Sequence, residues 1–145
     1  MTLKAKLLQV RRLQKEIETL DSLLKQTKED LRTLRASWPD GQPHGSGDTS
    51  DPVGSQVSQV IDTIQEIEAK IRSRRSLLWS RRMHVITMIG MVQDITLYEI
   101  LKSRYIDGDS FEQIAVSLGY SYRHTIRLHG EALQTLENAL GSCSC

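Results

Sequence analysis

Tyr122, Arg123, His124 and Arg127 crowd one short run of the chain, and their side chains are suited to molecular recognition. Guanidinium groups donate paired hydrogen bonds to guanine edges or to phosphate oxygens, and tyrosine and imidazole groups add supporting contacts. For this the four must face outward from one rigid element. The surrounding run, FEQIAVSLGYSYRHTIRL from Phe111 to Leu128, has the residue pattern of two short helices joined by a tight turn. Ala115 is small where a second helix must cross, and Gly119 stands where the turn needs a left-handed residue. Ser110 with Gln113 predicts a capping box for the first helix, and Ser121 is placed to cap the second. Ile114, Leu118, Tyr120 and Leu128 are then expected on the buried side. A helix-turn-helix presenting Tyr122, Arg123, His124 and Arg127 to a major groove of double-stranded DNA is the leading expectation. A plain helical hairpin is the bland alternative.

The wider run TLYEILKSRYIDGDSFEQIAVSLGYSYRHTIRLHGEALQTL, from Thr96 to Leu136, resembles region 4 of bacterial sigma factors. The phrases that carry the resemblance are Leu101 to Gly108, Glu112 to Ala115 and Ala132 to Leu136. More closely, the layout is similar to small sigma-like regulators encoded by phages and prophages of Gram-positive bacteria, through Gly119 to Arg123 and Leu128 to Gly130. This resemblance implies transcription regulation, of a phage late-gene type, with DNA contact at Tyr122, Arg123, His124 and Arg127. It also implies a lesser contact from Ile126, which could touch a thymine methyl. Thr125 departs from the β-branched apolar residue usual there, and its hydroxyl needs a partner such as a backbone carbonyl one turn back. Gly130 inside the helix suggests a close crossing or a bend.

Other elements must hold this module. Leu3, Val10, Ile17, Leu24 and Leu31 recur every seven residues, with Leu13, Leu20 and Leu34 interleaved and Thr27 as a polar interruption. This heptad stripe predicts a long coiled-coil helix over 1–37. Residues 38–55, rich in Pro, Gly, Ser and Asp, read as a flexible linker, and Pro39 as the stop of the first helix. A second long helix is predicted over 56–92, where Val57, Val60, Ile64, Ile67 and Ile71 repeat the stripe and Leu78, Val85, Ile86, Ile89 and Val92 continue the core. The sigma-like domain follows at 93–140, opened by a cap at Asp94 or Thr96, and 141–145 is a frayed tail. The expected architecture is all-α: a long antiparallel helical coiled-coil hairpin followed by a sigma region 4-like helix-turn-helix bundle. Heptads also allow a homodimer through the coiled coil. Trp79 is expected as a core anchor, with a stacking role as the alternative, and Met83, Met88 and Met91 as packing filler.

The chain of 145 residues has a net charge of +1, 39% hydrophobic residues and only 5% aromatic ones. That suits helices burying narrow stripes. From Gln93 onward four Lys and Arg face seven Asp and Glu, so the module alone is acidic, whereas phosphate neutralisation supplies much of DNA affinity. Other charge must help. Arg72, Arg74, Arg75, Arg81 and Arg82 are candidate phosphate contacts; dimerisation, or RNA polymerase as a partner, are the alternatives, as is plain solvation of a coil. No membrane span or secretion signal is read, so the expected location is the cytoplasm. Cys143 and Cys145 are too few for a zinc site, and the four histidines have no metal-binding spacing. No metal, cofactor or catalytic set is expected. The function expected second is a protein-binding adaptor docking on RNA polymerase or a sigma factor without sequence-specific DNA contact. A structural coiled-coil protein comes third.

Overall fold

The computed structural model describes residues 2–37 and 52–142. Among these residues, five α-helices and one π-helical turn follow in the order α1 (Leu3–Ala36), α2 (Pro52–Ile89), α3 (Ile95–Lys102), the π-helical turn Ser103–Asp107, α4 (Phe111–Leu118) and α5 (Tyr122–Ser142). No strand occurs among the described residues, as the all-α expectation requires. None of their helices is long and apolar enough to cross a membrane. The linker segment 38–51, with Pro39 and His44, and the two cysteines Cys143 and Cys145 lie outside the described residues.

Three expected boundaries move. Helix α2 begins at Pro52, so the last four residues assigned to the linker are helical. Proline is tolerated in the first helical turn because the N–H it lacks has no partner there. The same helix ends at Ile89 instead of 92, at Gly90, where Met91 N–H bonds to the Met88 carbonyl at 3.1 Å and Val92 N–H to that of Ile89 at 3.0 Å. Gly141 and Ser142, expected in the tail, are the last residues of α5.

Packing divides the chain into two compact units, Lys15–Arg75 and Met1–Gln14 with Ser76–Cys145. In the first, ion pairs join Glu16 to Arg74 at 2.9 Å, Asp21 to Arg75 at 3.3 Å and Lys28 to Glu68 at 3.4 Å. From the Glu16–Arg74 pair to the Lys28–Glu68 pair the residue number rises along α1 and falls along α2, so the helices run antiparallel. Ile17, Val57, Ile64, Ile67 and Ile71 are buried on the predicted stripe. The exposed ion pairs contribute at most about 1 kcal/mol each, so the apolar seam dominates.

The second unit holds the helix-turn-helix run, and its core is not the one a domain cut at residue 93 implies. Leu7 and Val10 of α1 and Val85, Met88 and Ile89 of α2 share one buried cluster with Val92, Leu101, Tyr105, Ala132 and Leu136. Asp94 caps α3 by accepting from Leu97 N–H at 3.0 Å. Helix α5 packs against both α3 and α4. Three expectations fail along α2 and just after it. Trp79 is 68% exposed, Ile86 is 43% exposed, and of the three methionines only Met88 is buried. Positions 79, 83 and 86 recur on one helical face, different from the face carrying Leu78, Val85 and Ile89.

Candidate nucleic-acid interface

The α4–α5 pair is built by local hydrogen bonds. Ser110 Oγ accepts from Gln113 N–H at 3.2 Å while Gln113 Oε1 accepts from Ser110 N–H at 2.8 Å, completing the capping box. Helix α4 stops at Gly119, whose φ of 71° is left-handed, with Tyr120 N–H bonded to the Ala115 carbonyl at 3.0 Å. This arrangement closes the helix and turns the chain sharply. Ser121 then caps α5, its Oγ accepting from His124 N–H at 3.2 Å. Thr125, wholly buried, donates to the Ser121 carbonyl at 3.0 Å, so its hydroxyl finds the partner expected one turn back. Ala115 is buried, as a close crossing requires.

Tyr122, Arg123, Ile126 and Arg127 are exposed on the first two turns of α5. His124 is only half-buried: Tyr120 meets its ring edge-on at 4.9 Å, and Arg127 donates to its Nδ1 at 3.1 Å. Tyr120 itself, expected in the core, is exposed. The turn leaves that ring beside His124 instead of under α5. Arg127 makes a long contact with Glu131 at 4.0 Å, and Arg123 has no ion pair among the described residues. Gly130 has no atom within 4 Å of where a Cβ would stand, so it serves no close crossing.

The arginines of α2 are divided between the two units. Arg72, Arg74 and Arg75 belong to the unit Lys15–Arg75, where Arg74 and Arg75 are paired with Glu16 and Asp21. Arg81 and Arg82 belong to the other unit, and Arg82 carries a buried Nε without a hydrogen-bond partner among the described residues. A groove of about 300 Å³ lined by Lys6, Gln9, Arg81, His84 and Val85 adds bases there. That unit contains ten Lys and Arg against seven Asp and Glu, a net charge of +3. The acidic module is therefore embedded in a basic unit, because the ends of α1 and α2 that complete its core bring Lys4, Lys6, Arg11, Arg12, Arg81 and Arg82.

Four residues beside this face have structural roles that the sequence reading did not assign. The Tyr105 hydroxyl and His129 Nε2 share a buried hydrogen bond of 2.7 Å, Phe111 meets His129 edge-on at 4.9 Å, and Arg104 lies 4.2 Å over the Phe111 ring. Burial, with Lys4 and Arg104 adding to it, pulls His129 down from 6.5 to about 4. Burial pushes Tyr105 up to about 12. Arg104 is lowered, by burial first and then by the nearby Arg11, against the opposing pull of Tyr105, Glu112 and Tyr122. One signal was present in the sequence: Thr125, His129, Ala132 and Leu136 recur at helical spacing, which puts the histidine on the buried stripe. Among the described residues no group of His, Cys, Asp or Glu is placed to hold a metal ion. Compared with protein families, curated proteins and solved structures, the chain matches none.

Proposed function

We propose that this chain is a DNA-binding transcriptional regulator whose helix α5 reads promoter DNA in a major groove. The observation that carries the reading is the exposure of Tyr122, Arg123, Ile126 and Arg127 at the start of a capped helix, behind a left-handed glycine turn, on a unit of net charge +3. Arg123 and Arg127 donate to guanine edges or phosphates, Tyr122 and His124 support them, and Ile126 meets a thymine methyl. Each good base contact is worth about 1–3 kcal/mol. The similarity of Thr96 to Leu136 to sigma factor region 4 supports the same reading and extends it to a cytoplasmic regulator of phage late-gene type, with RNA polymerase as a partner and the coiled coil as a route to a homodimer. The test is fluorescence anisotropy of the full-length protein with DNA fragments from around its own gene across a salt series. Tight, salt-sensitive, site-dependent binding that Arg123→Ala/Arg127→Ala abolishes is the expected result; equal, negligible binding by both proteins refutes it.

The adaptor reading has one observation in its favour. Val116 of α4 and Ile95 of α3 are 83% and 79% exposed, apolar side chains that a protein partner could cover. Co-purification with RNA polymerase, together with no salt-dependent DNA binding, would establish it in place of the first.

A further inference from the structure

We propose that Arg11 of α1 and Arg104 of the π-helical turn form a clamp for one backbone phosphate of the duplex, beside the first turn of α5. The inference rests on the DNA-reading function above and adds to it a contact from the coiled-coil helix.

Helix geometry sets the position of Arg11. It lies one turn before Gln14, whose side chain donates to the Ile106 carbonyl of the π-helical turn at 3.3 Å. Leu7, on this face, and Val10, next to it, are buried in the same cluster as Tyr105. The turn that carries Arg104 is thus held against the face of α1 that carries Arg11. Arg104 is itself fixed, donating from Nη1 to the Asp109 carbonyl at 3.2 Å and stacking on Phe111. A guanidinium has five N–H donors, so these contacts leave it donors to spare.

Charge supplies the second argument. The charge of Arg11 reaches Arg104 and, after burial, helps to lower it, and Tyr122, the first residue of α5, lies within electrostatic reach of Arg104. Glu112 lies within reach as well. Yet neither arginine makes an ion pair with a carboxylate among the described residues. Two like charges brought together with no carboxylate paired to either repel each other, and an anion between them relieves that repulsion. Arginine is suited to the task because its planar fork matches a phosphate. Lys4, seven residues before Arg11 and on the same face, lies near His129 of α5. The row Lys4 to Arg11 spans about 10 Å at 1.5 Å per residue, close to three base steps of a DNA strand.

The experiment compares the full-length protein with Arg11→Gln and Arg11→Lys. The probes are a short duplex selected by the protein from a random pool and a scrambled duplex, between about 50 and 200 mM salt. Arg11→Gln should bind both duplexes more weakly, keep their ratio of affinities, and flatten the plot of log affinity against log salt by about one unit of slope. Arg11→Lys should restore the slope. Thermal melts of each variant separate a binding loss from unfolding. A selected duplex with one phosphate replaced by an uncharged methylphosphonate should weaken the wild type at one position and leave Arg11→Gln indifferent there. Wild-type slope in Arg11→Gln overturns the clamp while leaving the DNA-reading function standing. Absence of any salt-dependent binding by the wild type overturns both.

Discussion

His129 concentrates the energetics of the module in one side chain. Its ring is buried against Tyr105 and Phe111 and held well below the ordinary histidine value. The folded chain thus favours the neutral ring. As pH falls through about 6.5 the unfolded chain takes up a proton that the folded chain refuses until about pH 4, so stability is lost across that window and is fully present above it. We expect urea midpoints of the wild type to drop over this range by the equivalent of about 2–3 kcal/mol. His129→Gln, which keeps a hydrogen-bonding group near Tyr105, should show a flatter decline; parallel curves would acquit the histidine. Tyr105→Phe should cost about 1–3 kcal/mol at neutral pH, since it leaves His129 Nε2 buried without its partner.

The helical elements differ in how much of each was written locally. Gly119 sits at φ 71° with open space around it, so Gly119→Ala should cost about 1–2 kcal/mol through backbone strain alone. Gly130 lies in the middle of α5 with equal room and no positive φ, so Gly130→Ala should stabilise the chain by about 1 kcal/mol and leave DNA affinity unchanged. Thermal melts of the two variants should move in opposite directions. The same contrast explains what could be read in advance. Ser110, Gln113, Gly119, Ser121 and Thr125 were legible because each finds its partner within a few residues along the chain. The heptad seams were legible because their period is independent of what they meet. Trp79, Ile86 and Tyr120 were misread because apolar character does not tell which face of a helix another element will cover. The roles of Arg11 and Arg104 depend on α1 and the π-helical turn coming together, which no local pattern announces, and helical spacing puts His129 on a buried stripe without naming Tyr105 as its partner.

For the whole molecule, the helix-turn-helix run is not an appendage on a coiled coil. Leu7 and Val10 are fully buried in its core, and the first turns of α1 supply four of the unit's ten basic residues. A fragment from Gln93 to Ser142 should therefore lack a cooperative thermal transition and bind DNA poorly, whereas the full chain melts cooperatively. Leu7→Ala should cost about 2–5 kcal/mol despite its distance in sequence from α5. Sharp melting of the isolated fragment at the full-length temperature would refute this dependence. The arrangement also governs the timing of synthesis. Leu7 and Val10 leave the ribosome early, but Ala132 and Leu136, which complete their burial, are made on the order of ten seconds later. Through that interval Leu7 and Val10 stay bare on the nascent chain, and this unit can close only once α5 has been made.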